Sequence, residues 1–277
     1  MTRRVLLTGG TGFVGRQVLK ALAKSDARVR AVVRDGAAAS RLGDSAAVES
    51  IIDSPDLFRE PIDWWVKALE DVDTVVHVAW YAEPGKYLHS PENIVCLEGT
   101  LRMGQATLLA GVKRFVGVGT CFEYDLTAGM LSTHTPLRPA SPYAGAKAAA
   151  FLALSQWLPQ QNISFAWCRL FYMFGEGEDE RRLFPYLRTQ LAAGKPVDLT
   201  SGNQIRDFLD VRIAGEKVAE TALGDRTGPV NICSGIPVTV RQIAERIADE
   251  YGRRDLLRFG ARPDNQVDPP CVVGVMG

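Results

Sequence analysis

The sequence predicts an α/β protein built on a doubly wound parallel sheet. Two observations carry that expectation. In the stretch Val5 to Gly15, V-L-L-T-G-G-T-G-F-V-G, a strand-length apolar run enters a glycine cluster and continues at a helical period through Val14, Val18 and Leu22. Beyond it, apolar runs of strand length alternate with helical segments through the first half of the chain. That order gives a parallel sheet whose ligands sit at the carboxyl ends of its strands. With 277 residues, 46% hydrophobic and 23% charged, the chain can bury a sizeable core in one large domain or two closely joined ones.

The first strand and helix frame a ligand. Gly10-x-Gly12-x-x-Gly15 satisfies the general dinucleotide fingerprint, and Gly9-x-x-Gly12-x-x-Gly15 runs through the same residues. Glycine accepts positive φ and lets a pyrophosphate approach where a Cβ would collide, and the N–H groups of a helix start favour its charge. Thr11, Phe13 and Val14 in this turn are therefore candidate contacts alongside Gly9, Gly12 and Gly15.

A second apolar run, Val29 to Val33, ends in Arg34-Asp35. The end of the second strand faces the adenosine ribose, where an acidic side chain accepts from a 2′-OH and an arginine pairs with a 2′-phosphate. Arg34 favours NADP over NAD; Asp35 is the competing reading. An Ala/Ser-rich link, Gly36 to Ala47, leads to a third short strand, Val48 to Ile52. Asp56-Leu57 lies where an acidic residue can accept from the adenine amino group, with Asp53 as the alternative and a plain loop carboxylate as the bland reading of either. A short helix, Trp64 to Leu69, precedes the continuous apolar strand Asp73 to Ala79, of the kind buried on both faces of a parallel sheet. Its end, Ala79-Trp80-Tyr81, is expected against the cofactor. A long helix, Asn93 to Leu109, then leads to the strand Phe115 to Val118. Thr120 falls just past that strand, where a threonine serves equally well as a strand terminator.

Composition excludes several classes of function. Thirty-two basic residues balance thirty-two acidic ones, so there is no net field to hold nucleic acid or an anionic membrane. No apolar segment reaches bilayer length, and Met-Thr-Arg-Arg enters the first strand directly, so the chain reads as cytoplasmic. Cys96, Cys121, Cys168, Cys233 and Cys271 are far apart and contain no C-x-x-C pair, which reads as buried thiols rather than disulfides or zinc ligands. The three histidines have no ligand spacing either; His77, inside an apolar run, reads as a core or strand-end residue, and no metal is expected.

The chemistry concentrates in Ser141-Pro142-Tyr143-Ala-Gly-Ala-Lys147. Pro142 suits a first helical turn, and residues 143 and 147 share a helix face. A cation fixed near a phenol stabilises phenolate, bringing the hydroxyl toward the range where it exchanges a proton with a substrate oxygen. Thr120 would hydrogen-bond that oxygen. Small residues around Lys147 let the helix approach a nicotinamide closely. A helix-start tyrosine with a solvated lysine is the bland alternative.

Together, T-G-G-T-G-F-V-G, H77-V-A, Thr120 before Glu123-Tyr124, Tyr143-x-x-x-Lys147 and Arg206-Asp207-Phe208 resemble the extended short-chain dehydrogenase/reductase family, the nucleotide-sugar epimerase/dehydratase group. The resemblance covers essentially the whole chain. It implies a Rossmann domain over 1–170, to which part of 205–232 returns, and a mainly substrate-binding lobe over 171–277. It implies bound NAD(P), catalysis by Thr120, Tyr143 and Lys147, and a homodimer through the helices 93–109 and 143–157. Tyr143 and Lys147 would also touch the cofactor. The tail 268–277 looks interrupted, because relatives continue into another helix.

Departures narrow the reaction. Members that dehydrate at C4–C6 carry Asp-Glu after the catalytic threonine, where this chain has Cys121-Phe122, so a 4,6-dehydratase is disfavoured. In R-x-x-N-x-Y-G, here Arg169-Leu-Phe-Tyr172-Met-Phe-Gly175, Tyr172 replaces the asparagine that meets the sugar or its phosphate. The form R-L-F-Y resembles 4-ketoreductases of deoxysugar pathways. Arg206 is the candidate diphosphate clamp, since a guanidinium matches phosphate oxygens in pairs; its bland reading is an ion pair with Asp207 or Asp210. Downstream, Phe184 to Ala193 reads as a helix, Val197 to Leu199 and Val230 to Cys233 as strands, and Val240 to Tyr251 as an amphipathic helix burying Ile243, Ile247 and Ala248. The expected activity is reduction of the C4 ketone of a nucleoside-diphosphate 4-keto-6-deoxyhexose. A 4-epimerase with retained NAD and a non-catalytic NADP sensor are the alternatives.

Overall fold

The computed structural model describes residues 2–43, 45–265 and 268–276. Strand β1 (Arg4–Thr8) and helix α1 (Phe13–Leu22) flank the glycine turn, followed by β2 (Arg28–Val33), a short helix α2 (Gly36–Ala39), β3 (Val48–Asp53), α3 (Ile62–Ala68), β4 (Thr74–His77), α4 (Glu92–Leu109) and β5 (Arg114–Thr120). Next come β6 (Met130–Leu131), α5 (Pro142–Gln160), β7 (Ser164–Leu170), β8 (Tyr172–Phe174), α6 (Leu183–Ala192) and β9 (Val197–Leu199). The chain closes with β10 (Ile205–Asp210), α7 (Val211–Leu223), β11 (Gly228–Ile232), β12 (Pro237–Thr239), α8 (Val240–Glu250), β13 (Leu257–Phe259) and β14 (Cys271–Gly274).

Seven strands form one parallel sheet in the order β11-β7-β5-β4-β1-β2-β3. The winding direction reverses between β1 and β4, so a crevice opens at their carboxyl ends. Side-chain alternation on β1 sends Val5 and Leu7 into the core shared with α1 and α7, and Leu6 into the core shared with α3, α4 and α5. Both faces are thus covered, as a parallel sheet requires.

The remaining elements build a smaller layer beside this sheet. β10 pairs with β12 antiparallel and with β14 parallel; β6 extends beyond β14, and the far half of β10 pairs with β8. β9 and β13 form a two-stranded ribbon. Helices α6 and α8 close a third core around Leu187, Leu191, Val197, Ile243, Ala244 and Ile247.

Two local expectations are corrected. The link 36–47 contains α2, nucleated by Asp35, whose carboxylate accepts from the Ala38 N–H at 2.7 Å. Strand β5 runs through Thr120 because β7 pairs with it residue for residue to Leu170, so Thr120 is the last strand residue. The tail carries β14, whose partners lie far away in sequence at Ile205–Arg206 and Met130–Leu131.

Candidate active site

The glycine turn is shaped by sterics. Gly9 has φ +72°, and a Cβ there would lie 2.7 Å from the Ala79 nitrogen; a Cβ on Gly15 would lie 2.0 Å from the Gly9 carbonyl oxygen. The end of β4 and the start of α1 can therefore close on the turn only through glycine. Gly12 caps α1 without any side-chain hydrogen bond, and no acidic residue lies in the first turn. The leading N–H groups beside Thr11, Phe13 and Val14 are left to an anion, which is what a pyrophosphate requires.

On the other side of the crevice, Arg34 is exposed at the end of β2 and forms no ion pair among the described residues. Asp35 is committed to capping α2. Asp56 lies in the turn after β3 with its two oxygens engaged, one by the Phe58 N–H at 3.1 Å and one by Arg59 Nε at 2.9 Å. The Leu57 side chain packs toward the core beneath α3 and α4. Asp56 is thus a turn former that would have to share an oxygen with adenine.

A buried relay fixes the end of β4. The Thr100 hydroxyl donates to the Cys96 carbonyl at 2.7 Å, so it can only accept from His77, whose Nε2 is 3.0 Å away. Nε2 therefore carries the proton. His77 Nδ1 then accepts from the Thr8 hydroxyl at 2.8 Å, and Thr8 in turn accepts the Ala79 N–H at 3.2 Å. Burial, aided by the Lys147 charge, pushes His77 down to about 3, so the ring is neutral.

Thr120 and Tyr143 meet at the ends of β5 and α5. Helix α5 begins with Ser141, whose hydroxyl accepts the Ala144 N–H at 3.2 Å, and Pro142 takes the first turn. Thr120 caps the 3-10 turn Cys121–Glu123, accepting from the Phe122 N–H, while Glu123 reaches back to the Thr120 N–H at 2.8 Å. This is a capping box. Glu123 is fully buried and also accepts from Trp167 Nε1 at 3.0 Å and from Arg169 Nε at 2.6 Å. Sequence reasoning gave Glu123 and Trp167 no role, although the spacing T-x-x-E was visible.

Tyr143 behaves differently from expectation. Burial, with Tyr87 stacked edge-on at 4.8 Å, holds the phenol well above its ordinary range, and a hydrogen bond with Thr120 pulls the other way. The depression expected from Lys147 is missing because the ammonium is directed elsewhere. Its Nζ donates to the Val118 carbonyl at 2.5 Å and lies 3.8 Å from the centre of the Trp80 ring. Burial pushes Lys147 down to about 7.

Toward the smaller layer, Tyr172 stands between Phe122 and Phe208 at 6.1 and 5.9 Å, with the Arg206 guanidinium 5.3 Å from its ring. Arg206 is buried and pairs with neither Asp207 nor Asp210. Its partner is Asp268, at 2.7 Å. Asp207 instead accepts from the backbone of Ser234, Gly235 and Gly274, and Asp210 holds Arg212. Tyr172 thereby links Phe122, two residues after Thr120, to the buried Arg206 guanidinium. Cys121 is buried beside Thr120 with its thiol kept protonated, and all five cysteines are free. No helix among the described residues is long and apolar enough to cross a membrane.

A profile of the NAD dependent epimerase/dehydratase family matches residues 5–213. The chain is 24% identical over 279 residues to a dTDP-6-deoxy-L-talose 4-dehydrogenase (NAD(+)) of Aggregatibacter actinomycetemcomitans, covering 98% of each. It is 28% identical over 262 residues to a dTDP-6-deoxy-L-talose 4-dehydrogenase (NAD(P)(+)) of Kitasatospora kifunensis, covering 90% of this chain and 79% of that one. Its fold is similar to that of a UDP-N-acetylglucosamine 4-epimerase from Methanobrevibacter ruminantium M1 in complex with UDP-N-acetylmuramic acid. There the TM-score is 0.86 at 24% identity, covering 99% and 90% of the two chains.

Proposed function

Because the chain belongs to the NAD-dependent epimerase/dehydratase family, we propose that it interconverts a nucleoside-diphosphate-linked 4-keto-6-deoxyhexose and its 6-deoxyhexose at C4, preferring NADP. The observation that carries this reading is the placement of the Tyr143 phenol, at the start of α5, against the Thr120 hydroxyl at the end of β5. A ketone under reduction needs a proton at its oxygen, and an acid that stays protonated at neutral pH is the form that supplies it. Two relatives are named as C4 dehydrogenases, and a C4 dehydrogenation run backwards is reduction of a 4-ketone. Cys121 and Phe122 offer no acid–base pair, which argues against dehydration at C4–C6.

The roles follow from position. Tyr143 gives its proton to the substrate oxygen and Thr120 donates a hydrogen bond to the same atom. Gly9, Gly12 and Gly15, with Thr11, Phe13 and Val14, hold the pyrophosphate of a dinucleotide, Ala79 flanks it, and Arg34 takes a 2′-phosphate. When bound, the nicotinamide supplies the hydride. Arg206 takes the sugar diphosphate, which has to displace the Asp268 carboxylate, and Tyr172 walls the sugar between them. In this reading the seven-stranded sheet, including α7 and β11, serves the cofactor, and the remaining layer serves the substrate.

The test is the absorbance of NADPH mixed with UDP-, dTDP-, CDP- and GDP-linked 4-keto-6-deoxysugars. Stoichiometric loss with one sugar, reduced by on the order of a thousandfold in Tyr143→Phe, is the expected outcome. Isomer interconversion on retained NAD without net loss would replace the reductase with an epimerase.

A further inference from the structure

Lys147 has an unusual environment for a buried ammonium. It is 2% exposed, and no carboxylate among the described residues touches it. One of its protons goes to the Val118 carbonyl; its other close neighbour is the face of Trp80, with Nζ 3.8 Å from the ring centre, whereas Trp167 is at 5.8 Å. Trp80 is itself held. Its Nε1 donates to Asn93 Oδ1 at 2.9 Å, and fully buried Asn93 donates to the carbonyls of Tyr87 and Ser90 at 2.6 and 2.9 Å. The Trp80 ring also stands edge-on to Tyr143 at 6.5 Å and to Phe58 at 6.2 Å. One indole therefore touches the lysine and the tyrosine from outside helix α5, and its orientation is set by a hydrogen bond rather than by apolar packing alone.

We propose that Trp80 is a positioning residue for Lys147: its π face holds the ammonium as a cation, and its ring nitrogen, anchored on Asn93, fixes where that cation stands beside Tyr143. The inference rests on the reading of Tyr143 as proton donor and on the role beside it that the family resemblance implies for Lys147. The other groups facing Lys147 do not replace the indole. From β4, His77 is neutral. From α4, the Cys96 thiol is pushed up to about 11 by burial and is also neutral. From the turn after β5, Glu123 acts from a distance and is already bound by Thr120, Trp167 and Arg169. From α5 itself, Tyr143 is a protonated phenol backed by Tyr87.

The sign follows from this environment. Desolvation disfavours the charged lysine and a π face favours it, so removing the indole lowers the pH at which the cation is lost. A desolvated contact of this kind is worth about one pH unit.

Two measurements test the proposal, one of them independent of turnover. Tryptophan emission of the protein is followed from about pH 6 to about pH 9, across the range in which a lysine held near neutrality titrates. We expect an inflection that disappears in Trp80→Phe and in Lys147→Met. Emission without an inflection in the wild type, or an inflection that survives Lys147→Met, overturns the pairing even if the protein reduces no keto-sugar. In the NADPH assay, the alkaline limb of the kcat/KM profile is expected to move down by about one unit in Trp80→Leu and by about half of that in Trp80→Phe, which keeps a weaker π face. Limbs coincident with wild type in both folded variants would reduce Trp80 to a packing residue. If the emission result holds while no sugar is reduced, the proposed function fails and the Trp80–Lys147 pairing stands.

Discussion

Arg34 and Asp35 are neighbours of opposite charge, and the local backbone gives them different tasks. Asp35 spends its carboxylate on the N-terminus of α2, where an acceptor satisfies an otherwise orphaned N–H. That leaves the exposed guanidinium of Arg34 as the group at the strand end with no partner among the described residues. A charge-assisted contact to a 2′-phosphate is worth roughly 1.5–3 kcal/mol. Arg34→Ala should therefore raise the KM for NADPH on the order of 10- to 100-fold and leave NADH nearly unchanged. Steady-state kinetics with both cofactors check this. Equal responses would place the 2′-phosphate elsewhere. His77 teaches the same lesson about neighbours: the apolar run around it announced burial, and its neutral, Nε2-protonated form follows from two threonines and one carbonyl that only the fold brings together.

At the level of elements, Thr120 depends on a buried cluster behind it. Strand β5 carries glycine at 119 because a Cβ there would lie 2.1 Å from Trp167 Nε1 and 2.2 Å from Glu123 Oε1. Glu123 in turn closes the capping box on Thr120 and neutralises Arg169, a pair with side chains 0% and 1% exposed. Removing one charge of a buried pair strands the other at a cost of roughly 3–5 kcal/mol. Glu123→Gln keeps an acceptor for Thr120 but leaves Arg169 uncompensated, so it should lower Tm by about 10 °C. Thermal unfolding measures it, and pairing it with Arg169→Met should recover part of the loss. How far this was legible from sequence depended on range. Strands β1 to β5 and helices α1, α3 and α4 announced themselves through runs with a clear period, and T-G-G-T-G-F-V-G and Tyr143-x-x-x-Lys147 through fixed local spacings, whereas β7 and α7 of the same layer did not. The strands β6, β8, β12 and β14, two to four residues each, have no period to read. The contacts Trp80–Lys147 and Arg206–Asp268 join residues 67 and 62 positions apart, and their pairing is written in the packing of the layers.

On the scale of the whole molecule, α4 and α5 lie side by side on one face of the large sheet, and neither shows the clean division into apolar and polar sides expected of a helix at a water boundary. Their outer face exposes Ile94 at 53%, Leu109 at 64% and Leu152 at 52%, with small Gly145, Ala149 and Ala153 along α5. Small side chains allow a second helix pair to approach closely, and a two-fold axis through such a face would make a four-helix contact of identical patches. We therefore expect a homodimer joined through these two helices, with each active site complete in its own chain because Thr120, Tyr143 and Lys147 come from one copy. Light scattering on the eluting protein should give twice the chain mass. Leu152→Arg places a charge at the centre of that face, and should shift the protein to monomer while leaving the fold and NADPH binding intact, since residue 152 lies on the far side of α5 from Lys147 and Ala150. A wild-type monomer, or a dimer untouched by Leu152→Arg, would show that these apolar residues face solvent and that a different surface joins the copies.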